Sequence, residues 1–257
     1  MLNFKYNQKS VFYPSMQFLQ GRLIVSISAM IITVCVCRVM SDYLPIEECH
    51  ELLPECECEC TKGYLKDVEL TCHNVSDFEA FNDILSNGSV FEVNTTFEIS
   101  LSGNTVLPKG FLSGLTVSLF SVDDFQTQVE EGAFDGVLYV KYFFTERSSM
   151  KEIPDFRAFR STLLILQLDN SRLTQLRGDN LKNLTQLRKL SFVNNSIEHV
   201  ADDVFQGTED VRYFDISHNV LIYLPPSLFR SWKRLKEVRL SYNQLLHVDH
   251  LFFWEEP

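Results

Sequence analysis

The stretch VRYFDISHNVLIYLPPSLF, residues 211–229, decides the fold. Its apolar side chains fall at Val211, Phe214, Ile216, Leu221, Leu224 and Phe229, around a lone Asn219. Phe214 to Ile216 is a strand step, yet nothing after it keeps a period of two, and no helical period fits either. The same offsets return 24 residues later at Leu235, Val238, Leu240, Asn243, Leu245, Val248 and Phe253. They stand 24 residues earlier at Leu187, Leu190, Phe192, Asn195, Ile197, Val200 and Phe205. One step further back come Leu163, Leu166, Leu168, Leu173, Leu176 and Leu181, with Ser171 in the Asn place. A fixed period of this kind marks a chain built from stacked units.

The spacing LxxLxLxxNxLxxL with a late Phe resembles the leucine-rich-repeat pattern. It implies an α/β solenoid, because one coil cannot bury its apolar set alone and neighbours must complete it. The LxL tripeptides are expected to line up as a parallel β-sheet on the concave side of a curved solenoid. The convex side should be irregular or short-helical. The Asn side chain should bond backbone groups of the adjacent turn. Earlier units are degraded. Tyr139, Tyr142 and Phe144 read as strand places, with Arg147 where Asn belongs and a slipped Ile153. Before them Val117 and Leu119 lead to Phe134, and Ile99, Leu101 and Asn104 lead to Leu107 and Phe111. The late apolar place runs Phe111, Phe134, Phe156 or Phe159, Leu181, Phe205, Phe229, Phe253. That ladder accounts for much of the high Phe count of 21 without an aromatic cofactor site. About seven repeats are expected between residues 91 and 257.

The first 40 residues carry Lys5, Lys9, Arg22 and Arg38 and no acid. Within them LIVSISAMIITVCVC, residues 23–37, is shorter than the roughly 20 residues of a membrane span. It reads as the apolar core of a signal peptide, cut between Cys37 and Ser41, or alternatively as an uncleaved signal anchor. Sequons at Asn74, Asn87, Asn94, Asn183 and Asn194 point the same way, to glycosylation outside the cell. Beyond the leader lie Cys49, Cys56, Cys58, Cys60 and Cys72. The run CECEC followed by VELTC resembles the cysteine-rich N-terminal cap of extracellular leucine-rich repeats, four thiols making two disulfides and one left over. Zinc on three close thiols is the competing reading. Between cap and repeats, NVSDFEAFNDIL reads as a short helix with Ser76 and Glu79 as a capping box. Phe78, Phe81 and Leu85 share one face and should cover the convex side of the first coil. The organisation is thus leader 1–40, cap 41–90, solenoid 91–257. The last repeat ends at FFWEEP without a C-terminal cysteine cap, so the chain is expected to be a fragment or, alternatively, to have that end covered by a partner.

The formal net charge is −11, and all the acids lie beyond residue 40 whereas four bases precede it. An acidic surface argues against nucleic acid or an anionic membrane as partner and suits a neutral or basic protein. No G-x-S-x-G, H-E-x-x-H, phosphate-binding or dinucleotide motif is present, so no catalytic residue, cofactor or metal site is expected. His199 and His247 share one phase with Tyr223 between and Gln175 before, a solvent-facing column. Two repeats separate the imidazoles by roughly 10 Å, too far to share a metal. His218 stands at a strand end. Asp202, Asp203, Glu209 and Asp210 read as solvated turn. The surface left to act is the concave sheet. Side chains alternate along a strand, so the x positions of xLxLx point outward. With Val117, Leu119, Tyr142 and Phe144 taken as core places in the irregular units, they nominate Phe120, Lys141, Phe143, Ile165, Lys189, Tyr213, Asp215 and Arg239 as partner-binding residues. A slip of one in the irregular repeats would instead send Phe120 and Phe143 into the core.

Together CECECTKGYLKDVELTCHNVSDF, the helix, the degenerate middle repeats and the tidy later ones resemble secreted arthropod leucine-rich-repeat proteins. These look similar to the non-catalytic leucine-rich subunits of the Oplophorus luciferin 2-monooxygenase type. The resemblance implies a secreted, non-enzymatic binding or scaffold protein, an accessory subunit with no catalytic residue to carry over. The alternative is the ectodomain of a cell-surface adhesion or recognition receptor.

Overall fold

Each LxL tripeptide of the regular repeats is a short strand in the computed structural model. The model describes residues 17–19, 22–27, 30–33, 56–60, 67–86, 96–102, 106–123, 129–145 and 147–246. In chain order, β1 (Gln17–Leu19), β2 (Arg22–Ile27) and β3 (Met30–Thr33) form an antiparallel meander within and before the apolar run. Then β4 (Cys56–Cys60) and β5 (Asp67–His73) form an antiparallel hairpin, followed by helix α1 (Phe78–Ser86). The repeats supply β6 (Thr96–Ser102), β7 (Thr116–Asp123), β8 (Tyr139–Thr145), a 3₁₀ turn at Arg157–Phe159, and β9 (Ile165–Leu168). They continue with β10 (Gln175–Leu176), β11 (Lys189–Ser191), β12 (His199–Val200), β13 (Tyr213–Asp215), helix α2 (Ser227–Arg230) and β14 (Glu237–Arg239). Nine strands make one sheet in the order β14-β13-β11-β9-β8-β7-β6-β5-β4. Every pairing from β5 onward is parallel. The hairpin therefore covers the edge that β6 would present, as a cap must. A second, two-stranded parallel ladder joins β10 to β12 and brings Gln175 beside His199.

One elongated core runs from Leu70 to Trp232 and holds the Leu, Ile and Phe set. Its polar thread is the Asn column. Asn219 is 5% exposed; its Nδ2 donates to the carbonyls of Phe192 (2.8 Å) and Ile216 (3.0 Å), and its Oδ1 accepts from Ile197 N–H (2.9 Å). Asn195 repeats the scheme one turn earlier, to Leu168 O (2.8 Å) and from Leu173 N–H (3.1 Å). Asn243 repeats it one turn later, to Ile216 O (2.9 Å) and from Leu221 N–H (3.2 Å). Each amide thus satisfies a donor and an acceptor of the preceding coil that no strand partner reaches. Ser171 is too short for this. It donates to Asp169 O at 3.3 Å and lies 3.3 Å from the Thr145 hydroxyl.

The early repeats correct three expectations. The residue occupying the Asn place before Ser171 is Ser148, buried, whose Oγ accepts from Met150 N–H at 3.1 Å. Arg147 is instead exposed, with φ 132°, and its guanidinium grips the Asp123 carboxylate at 3.1 and 2.6 Å. Second, Phe120 (1% exposed) and Phe143 (0%) are core, not surface. The buried sets are Val117, Phe120, Val122 and then Val140, Phe143, Thr145, while Leu119, Tyr139, Tyr142 and Phe144 are only partly buried. The step between these units is 23 residues, 117 to 140 to 163, so a step of 24 from Gln167 lands on Phe143, one residue short of Phe144, and taking Leu119 as a core place sets Phe120 outward. The chosen frame buries hydrocarbon rings and leaves the tyrosine hydroxyls within reach of water, which costs less than desolvating them. Third, the residue directly before α1 is Asp77, one on from the expected Ser76, and its Oδ1 accepts from Ala80 N–H at 2.9 Å as an N-cap does. Its face is as expected: Phe81 and Leu85 are buried, and Phe78 packs edge-on against Phe111 at 4.8 Å.

Cys72 is fully buried and disulfide-bonded. Cys56 stands opposite it in the hairpin register, Cys58 opposite Leu70 and Cys60 opposite Val68. Cys49, Asn87, Asn94, Asn104, His247, Val248 and Phe253 lie outside the described residues. Among the described residues no helix is long and apolar enough to cross a membrane, and no group of three His, Cys, Asp or Glu is placed to hold a metal.

Candidate partner-binding face

Sheet register fixes which side chains share a row. Glu98, Leu119, Tyr142, Ile165, Lys189, Tyr213 and Glu237 stand side by side across seven successive strands. A second row, two residues on, is Ser100, Ser121, Phe144, Gln167, Ser191, Asp215 and Arg239. None of the first row is in the core, and Tyr213 is the most open of its apolar members at 40%. The register shifts at the Phe97–Glu98 step of β6, where Ser118 of β7 has no opposite residue and its Oγ donates to Glu98 Oε1 at 3.4 Å.

The face divides in two. On β7 to β9, Leu119, Tyr142 and Ile165 make a partly exposed apolar row roughly 10 Å across, two strand spacings. Phe144 widens it, its ring parallel to that of Tyr142 at 6.3 Å. Lys141 lies over the Tyr142 ring at 5.0 Å, and its bond to Tyr142 raises the ammonium pKa. The lysine stays charged at the border of the apolar row. From β11 to β14 the face is polar and already internally paired. Lys189 Nζ donates to Gln167 Oε1 at 3.3 Å, Arg239 Nε to Glu237 at 2.5 Å, and Arg239 stands 3.8 Å from Asp215. Such exposed pairs contribute little on their own. Asp169 at the end of β9 is held by Ser191 Oγ (2.7 Å) and Val193 N–H (2.8 Å). Burial nonetheless pushes its carboxyl above the ordinary carboxylate value.

Of the eight nominated residues, Lys141, Ile165, Lys189, Tyr213, Asp215 and Arg239 are on the open face, and Phe120 and Phe143 are not. Their places fall to Leu119, Tyr142 and Phe144. The signal was available, since Val117-x-x-Phe120-x-Val122 and Val140-x-x-Phe143-x-Thr145 repeat the Leu163-x-x-Leu166-x-Leu168 spacing. His199 is exposed beside Gln175 and Tyr223 is exposed one repeat on. His218, at φ 57°, stacks on Tyr242 at 4.2 Å.

Residues 161–221 match the family model described as leucine rich repeat. These residues are leucine-rich repeats. Lumican of Gallus gallus is 31% identical over 138 residues, which cover 50% of this chain and 39% of lumican. Podocan-like protein 1 of Homo sapiens is 33% identical over 94 residues, 36% of this chain and 18% of that protein. The chain therefore spans less than half the length of the curated relatives it matches. Among solved structures, the TLR13 chain of the TLR13–ssRNA13 crystal structure superposes with a TM-score of 0.52 at 22% identity, over 60% of this chain and 22% of that one. The likeness is one of fold: repeats stacked on a parallel sheet.

Proposed function

We propose that this chain is a secreted, non-enzymatic binding protein that engages another extracellular protein through the concave sheet, as a scaffold or accessory subunit. The observation that carries the reading is the Leu119–Tyr142–Ile165 row with Phe144. It sets partly open apolar and aromatic side chains together in the middle of a rigid sheet, the composition of a binding hot spot. Lys141, Lys189, Tyr213, Asp215 and Arg239 form the polar border that fixes orientation. The acidic balance of the chain favours a neutral or basic partner. The reading includes a leader in residues 1–40 and a cap in 41–90 stapled by two disulfides among Cys49, Cys56, Cys58, Cys60 and Cys72. It also includes glycans at the sequons and the accessory-subunit role that the arthropod resemblance implies.

Quantitative capture from extracellular fluid tests it. Tyr142→Ala combined with Phe144→Ala is expected to lower recovery of the specific partner about thirty-fold, the effect of losing one strong anchor. Tyr223→Ala, exposed on the flank, leaves it unchanged. Equal recovery by all three proteins contradicts the proposal.

A further inference from the structure

A cleft of about 370 Å³ opens at the rim of the sheet, beyond the C-terminal ends of β8, β9 and β11 and apart from the apolar row. Arg147, Asn170, Arg172, Asn194, Asn195 and Ser196 are among its lining, and no carboxylate is. The last three of these are a complete sequon. Asn170 and Asn194 occupy the same place in successive repeats, with φ 49° and 55°. Asn194 Nδ2 donates to Asn170 Oδ1 at 2.8 Å. Three donor groups remain uncommitted among the described residues: the Asn170 amide NH₂, the Arg172 guanidinium and the Ser196 hydroxyl. Arg147 differs, being held by Asp123.

We infer that the cleft seats the first sugars of a glycan carried by Asn194, so that this glycan lies docked on the rim of the sheet rather than free in solvent. A glycosylated Nδ2 retains one hydrogen, enough to keep the bond to Asn170 and fix the direction of the linkage. The hydroxyl and acetamido oxygens of the first sugar are acceptors, and the cleft offers donors. A free saccharide would have to overcome the entropy of association, but a covalently attached one arrives at a high effective concentration, so a few ordinary hydrogen bonds suffice. Asn74 and Asn183, also exposed and at positive φ, are not part of this cleft. The inference rests on the secreted reading above.

The test is site-resolved glycan release from the native full chain, made in a secreting animal cell line, by an endoglycosidase, followed by glycopeptide mass spectrometry. Release at Asn194 is expected to be about five- to ten-fold slower than at Asn183, the factor one net hydrogen bond of ordinary strength provides. Denaturation should erase the lag. Arg172→Ala, and Asn170→Asp, which keeps the acceptor for Asn194 but removes the donor, should each speed release at Asn194 without changing Asn183. Equal native rates at the two sites, a lag that survives both substitutions, or an occupied Asn183 beside a bare Asn194 overturns the seat and leaves secretion standing. A secretory product bare at every sequon overturns the glycosylated reading and this inference with it.

Discussion

The early repeats and the later ones solve the same packing problem with different chemistry. From β9 onward the strands of the main sheet are three or four residues long, and Asn195, Asn219 and Asn243 tie each coil to the one before. In β6 to β8 strands are seven or eight residues long, and no such Asn is seen among the described residues. There the coils are joined by longer runs of sheet hydrogen bonds and a chain of rings, Phe78, Phe111, Phe120, Phe143 and Phe156, with centroids 4.8 to 5.9 Å apart. The difference teaches where function can reside. An Asn ladder imposes a strict repeat and an ordinary polar face, whereas ring packing tolerates a 23-residue step and turns Leu119, Tyr142 and Phe144 outward. The irregular half is where the apolar face is.

The largest expected effect separates neighbours within one strand. Phe143→Ala should destabilise the chain by about 3–5 kcal/mol, as for a fully enclosed ring, while Tyr142→Ala should cost well under half as much; chemical denaturation of both variants measures this. A surface frame for Phe143 would reverse the order.

Next comes the Asn column. Asn219→Ala strips partners from the Phe192 carbonyl and Ile197 N–H and should cost about 3 kcal/mol, against about 1 kcal/mol for Ser171→Ala, whose bonds are long. Equal costs would mean that the ladder is not what distinguishes the halves.

The smallest effect is electrostatic. Asp169 has a folded pKa raised by burial, so the unfolded chain loses that proton first as pH rises. Its contribution to stability therefore falls from the ordinary carboxylate range up to the raised folded value and is level above it. Asp169→Asn should remove that slope from a titration of stability against pH, while a slope unchanged by the substitution would place its origin elsewhere.

The later repeats were legible because leucines at fixed offsets and an Asn leave only one stacking that satisfies both burial and hydrogen bonding. The solenoid, its sheet and the outward places of Ile165, Lys189, Tyr213, Asp215 and Arg239 follow from that. Phe143 was misplaced because a 24-residue step was carried into a unit one residue shorter, and Phe120 because Leu119 was taken for a core place; a slip of one exchanges the two faces of a strand. Tyrosines at supposed core places were the warning, since each would have brought a hydroxyl inside. Ser76 and Asp77 are equally good cap residues in isolation; the docking of Phe78 and Phe81 on Phe111 selects Asp77. The rim cleft was beyond reach, because Asn170 and Asn194 meet only once neighbouring coils stack.

Cysteine accessibility tests the register most directly, because residues 73–257 contain no native cysteine. Leu119→Cys and Tyr142→Cys should react with a maleimide in the native protein at rates near those of an unfolded peptide, read by mass spectrometry. Phe120→Cys and Phe143→Cys should stay protected until the chain unfolds. Rapid labelling at 120 and 143 with protection at 119 and 142 would contradict the account.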